Sequence, residues 1–263
     1  MFKGMDLPSL GMVAAAIFVG IVYLRSAVAA GSRMRDGDVI ERRSEASERD
    51  RFQRADDARE RVSALPRYGV AFVGFGMACA VLAHVVPAPV AYAILALALV
   101  LRSVADLVSE ERAPRRRSAF LQRSRRVDPV FLTWICLAAG SSLFLVPYVL
   151  GGDYRAVAIV VAACVAAMSV VAWRIASAPP ILLGNDVAAE QVVDHETRAI
   201  RTGNTCFVTV GAVFVFTCFV GNSPGVAQHH VDALITTQFA IGVGLYVWKT
   251  IYARHLSRTP LAS

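Results

Sequence analysis

Apolar positions in this sequence gather into seven long blocks separated by polar, mostly charged stretches: approximately Leu7–Ala30, Tyr68–Val86, Pro89–Val108, Pro129–Leu150, Ala156–Ala176, Thr205–Gly221 and Asp232–Tyr252. Each is long enough to cross roughly 30 Å of hydrocarbon as a helix rising about 1.5 Å per residue. The blocks are continuous in apolarity and lack the alternation of a barrel wall, which predicts helices and excludes membrane strands. With 56% hydrophobic residues in 263, the chain also has more apolar surface than one soluble domain can bury. The predicted fold is therefore all-α, a single polytopic membrane bundle over residues 1–263 with one span followed by three helical hairpins. Its apolar surface makes the lipid bilayer its first partner.

Charge then sets sidedness. Of 27 basic residues, 21 fall in the segments 31–67, 109–128, 177–204 and 253–263, whereas only Lys3 and Arg155 fall in the segments that alternate with them. This is the positive-inside pattern, and it predicts an N-terminus outside and a C-terminus in the cytoplasm of what reads as a bacterial cytoplasmic membrane. Arg25, Arg102, Arg174 and Lys249 lie within apolar blocks but all at the predicted cytoplasmic ends, where long side chains snorkel to the interface. The net charge of +7 thus follows the membrane and does not mark a nucleic-acid binder. The first block has a signal-peptide outline, since Lys3 precedes an apolar run ending in Ala27-Val28-Ala29. Its length, and the outside location that cleavage would give to the arginines of 31–67, favour a retained span.

Two cytoplasmic helices are predicted. In 31–67, with ten arginines against nine acids, Asp38-Val39-Ile40-Glu41 has capping-box form and Glu45–Arg49, Asp50–Arg54 and Asp57–Arg61 are spaced i, i+4. Phe52, Val62 and Leu65 form part of a narrow apolar stripe on the helix over 39–64, the expected contact with a protein partner or a second copy. The second helix, from Ile181 to Asn204, is opened by Asn185 or Asp186 and closed by Gly203, with Asp194 and Arg198 four apart. Within the bilayer, Gly76 and Ala80, Ala158, Ala162 and Ala166, and Ala240 and Gly244 are small residues at four-residue spacing, the expected points of close helix approach.

Few residues carry chemistry at depth. Gln238 lies about 6 Å from the middle of the last block by helix rise. It is preceded by Thr236 and Thr237, and its amide is expected to bond a neighbouring helix or to meet a solute. Arg102 and Asp106 stand four apart on one helix, an ion pair or a gate. On the outer side, His84, His229, His230 and Asp232 are the nearest approach to a metal set, but two adjacent histidines in a loop containing Pro224 and Gly225 lack preorganisation, and no metal or other cofactor is assigned. The five cysteines show no metal-ligand or disulfide spacing. No catalytic residue is identified, because an enzyme acting in the membrane needs a nucleophile, base or metal at depth. The expected function is non-catalytic: binding a partner or stabilising a complex. Small-solute transport or conduction is the alternative, resting on Gln238, Thr236 and Thr237, and a membrane-embedded enzyme comes third.

Overall fold

The computed structural model describes residues 13, 14, 16–25, 28, 66–111, 127–150, 154–178, 187–221 and 228–258. Among them there are helices and turns and no strand. The helices are α1 (Ala16–Arg25), α2 (Pro66–Leu82), α3 (Ala88–Glu111), α4 (Pro129–Gly140), α5 (Val146–Leu150), α6 (Arg155–Ala176), α7 (Val187–Gly221) and α8 (Gln228–Arg258). Five segments are long and apolar enough to cross a membrane: Ala88–Val108, Pro129–Leu150, Arg155–Ala176, Thr197–Cys218 and Ala233–Tyr252. α1 and α2 are shorter apolar helices. The predicted cytoplasmic helix over 39–64, with Phe52, Val62 and Leu65, lies outside the described residues.

Local sequence explains the boundaries. Asp128 caps α4, its Oδ1 accepting from the Val130 N–H at 2.8 Å, and Pro129 follows where a missing N–H costs nothing. After α2 the chain turns through His84, whose φ of 56° is the left-handed conformation usual for glycine at a helix end. The Val85 N–H closes that turn on the Ala80 carbonyl at 2.9 Å. The segment Pro129–Leu150 is long and apolar enough to span but is not one regular helix, because a 3₁₀ turn over Ser141–Leu145 divides α4 from α5. Ser141 and Ser142 donate to the Ala138 and Ala139 carbonyls, each at 2.6 Å, and Pro147 has no N–H for the carbonyl one turn back.

α7 packs against α4, α6 and α8, and α3 packs against α6 and shares core clusters with residues of α1 and α2. Phe216, Tyr148, Tyr92, Leu145 and Val161 form one core, and Phe131, Trp134, Ala199 and Leu245 another nearer the arginine-rich end. Large apolar side chains also point outward, among them Phe72, Leu101, Val170 and Ile251, as they do where lipid and not water is the solvent.

Several predicted details differ. The helix expected to close at Gly203 continues without a break to Gly221. Gly203 is a packing position: a Cβ there would lie 3.1 Å from the Lys249 Cβ and 3.2 Å from the Trp134 ring. α8 starts at Gln228, so His229 and His230 stand in its first turn and not in a loop, and it runs on to Arg258 past the predicted end of the span. Of the small residues expected at helix contacts, Ala158 is fully buried, but Gly76, Ala166, Ala240 and Gly244 are exposed. Close approach occurs instead at Gly74, where a Cβ would meet the Ala16 carbonyl oxygen at 2.7 Å. Small size permits such contact, but which small residue is used depends on the face each helix turns to its neighbour.

Candidate functional site

Between α1, α3, α7 and α8 lies a cavity of about 380 Å³, within the range usual for small-molecule sites. Its walls are apolar and none of its lining residues is charged. Three of its lining residues are polar, Tyr23, Tyr92 and Gln238, and all three are buried. The Tyr92 hydroxyl donates to the Ala212 carbonyl, and Tyr23 is engaged by Arg102, which bonds it and lies 5.3 Å over its ring. Gln238 is 0% exposed, and neither its Nε2 nor its Oε1 has a hydrogen-bond partner. The neighbouring-helix partner expected for this amide is therefore not found among the described residues. Phe18, Phe239 and Val243 line the cavity yet are 68%, 59% and 45% exposed, so it opens sideways through the apolar flank of the bundle.

Thr236 and Thr237 do not join Gln238. Both are exposed and neither lines the cavity, and Thr237 returns its hydroxyl to the Ala233 carbonyl at 2.8 Å. A second cavity, of about 430 Å³, lies beside Ala139, Ser142, Ala162 and Ser169. There both serine hydroxyls are satisfied by carbonyls of their own segment, at 2.6 and 2.8 Å. Gln238 thus distinguishes the first cavity from the second.

Arg102 and Asp106 form the predicted pair at 2.7 Å, but as a buried group and not a snorkelling one, with 8% and 7% of each residue exposed. The aromatic face of Tyr23 replaces part of the lost hydration of the guanidinium.

At the same end of the bundle, three further polar ties involve α7. Arg198 bonds Asp194 and the Ala178 carbonyl, fastening α7 to the chain just after α6. Lys249 donates to Asn204 and stands 5.2 and 5.0 Å over the Phe207 and Tyr246 rings. Asp128, His195 and Tyr252 come together from the start of α4, from α7 and from α8. The Tyr252 hydroxyl donates to Asp128 Oδ2 at 2.8 Å, and His195 Nε2 lies 3.0 Å from that oxygen and 3.1 Å from the hydroxyl. Phe131 stacks on the imidazole at 5.0 Å. With its other oxygen on the Val130 N–H, Asp128 serves three helices at once. The sequence offers one signal for this cluster, the Asp-Pro pair that opens α4. His195, Tyr252 and Asn204 carry no motif.

His84 is exposed, and the side chains of His229, His230 and Asp232 lie outside the described residues. The chain matches no family model, no curated protein and no solved structure.

Proposed function

We propose that this protein is a seven-span, N-out and C-in protein of a bacterial cytoplasmic membrane that acts by binding, not by catalysis or conduction, and that its partner is an apolar molecule taken from the bilayer. The observation that carries the proposal is the apolar cavity opening on the flank of the bundle. A conduction path needs polar groups in series across the membrane to replace lost hydration. The cavity's three polar lining residues do not form such a series: Tyr23 and Tyr92 are already bonded, Gln238 is fully buried, and Thr236 and Thr237 stand outside the cavity. Mass spectrometry of the protein released from native membranes tests this: a hydrophobic molecule should be retained through mild detergent, and reconstituted vesicles should show no solute flux above empty ones. Flux without a retained molecule would overturn it.

Association with a second membrane chain is the other form of binding that a specific observation favours. Phe239, Val243, Val247 and Ile251 recur every fourth residue along α8 and are all exposed, while α8 packs chiefly on α7. Crosslinking in membranes from cysteines placed at Val247 and Ile251 would report a partner chain if one is seated there.

A further inference from the structure

The binding proposal concerns what fills the cavity, and what that hydrocarbon is attached to follows from the residues just beyond its walls. Three of the four helices around the cavity carry a cation on the face they turn to it. On α1 the wall residues Phe18 and Val22 are followed one turn later by Arg25, on α3 Leu95 and Leu99 by Arg102, and on α8 Gly242 is followed two turns later by Lys249. Spacings of three, four and seven keep each cation on the same helix face as the wall residues before it. The fourth helix, α7, runs the opposite way along α8 and mirrors the order, with Asn204 ahead of Phe207 and Gly211 on one face. Contacts between the helices gather these polar residues: Arg102 lies over Tyr23, while Lys249 donates to Asn204 and lies over Phe207. Tyr23 and Phe207 both line the cavity, so the two cations stand directly behind its wall.

These charges are not equally committed. Arg102 is buried and matched by Asp106 at 2.7 Å. Arg25 is exposed and Lys249 half-buried, and no described carboxylate pairs with either. One N–H of the Lys249 ammonium goes to Asn204, which leaves two for a ligand. An apolar chamber that ends, at the arginine-rich face of the bundle, in cations without a counter-charge is complementary to an amphiphile with a hydrocarbon chain and an anionic head. The flank opening narrows the choice. A lipid with two chains can send one between the exposed Phe18 and Phe239 and keep the other in the bilayer, whereas a single-chain anion has no use for a sideways door. We propose that the cavity holds one acyl chain of an anionic phospholipid whose head group is held by Arg25 and Lys249.

The inference rests on the binding proposal, and one experiment separates the two. The full chain in mild detergent is mixed with equal amounts of phosphatidylglycerol and phosphatidylcholine of identical chains, or with phosphatidylglycerol and oleate, and the lipid retained is counted by native mass spectrometry. Phosphatidylglycerol should be retained on the order of tenfold over phosphatidylcholine, as expected of cations near the membrane surface, and should also outcompete oleate. Arg25→Gln combined with Lys249→Gln should remove the preference while leaving phosphatidylcholine retention in place, and Lys249→Arg should keep it. Gly211→Leu should abolish retention of both phospholipids, since a Cβ there meets nothing within 4 Å and the longer side chain fills the cavity. Each variant is first shown to elute and melt as a folded protein. Equal retention of the two phospholipids, unchanged in the double variant, overturns the head-group assignment and leaves apolar binding standing. Preferential retention of oleate overturns the phospholipid assignment in favour of a single-chain anion. No retained lipid, or retention untouched by Gly211→Leu, overturns both.

Discussion

Gln238 shows how a single side chain departs from its surroundings. A buried amide without partners costs about 1–3 kcal/mol, so in delipidated protein Gln238→Met is expected to raise the melting temperature, and a fall would mean that the amide is partnered in the folded state. Asp128 is the opposite case, a carboxylate whose capacity is filled by the Val130 N–H, the Tyr252 hydroxyl and His195. Tyr252→Phe removes one of these bonds and should cost about 1 kcal/mol. Asp128→Ala removes the helix cap as well and should cost about 2–3 kcal/mol. Denaturant melts of both variants in one detergent check this order, and equal losses would show that Asp128 acts through Tyr252 alone.

Among the helices, α7 packs on α8 and carries glycines in contrasting surroundings. Two glycines of α7 make opposite predictions. Gly211 has open space beyond its Cα, so Gly211→Ala should stabilise by about 0.5–1 kcal/mol through helix propensity. Gly203 is confined by Lys249 and Trp134, so Gly203→Val should destabilise by about 1–3 kcal/mol as α8 is pushed outward. Thermal melts of the pair measure the difference, and the assignment of Gly203 as a packing glycine fails if both variants stabilise.

For the whole molecule, sidedness is the testable proposal. After the native cysteines are replaced, single cysteines at Ser47, Ser118 and Ser257 should react with an impermeant reagent only from the cytoplasm, and one at Ser223 only from outside. Reversed access at any two positions would overturn the orientation and the seven-span count together. Replacing Phe52 and Val62 by serine should leave insertion intact and weaken crosslinking to a partner, if the stripe predicted over 39–64 is a contact surface. An unchanged pattern would leave that predicted helix a spacer.

The amino-acid sequence by itself determined that the chain is helical and where its apolar segments run, because length and unbroken apolarity are one-dimensional properties that a bilayer reads directly. The i, i+4 pairs Arg102–Asp106 and Asp194–Arg198 were legible for the same reason, since helix geometry alone places their partners together. Only the tertiary structure decided that both pairs are buried, that Gly203 and Gly74 are the close contacts, and that Asp128, His195 and Tyr252 meet across 124 positions of chain. It also decided that Gln238 is buried beside an apolar cavity with no hydrogen-bond partner among the described residues. Which face a helix turns to its neighbour depends on the fit of several helices at once, and no local spacing encodes that fit.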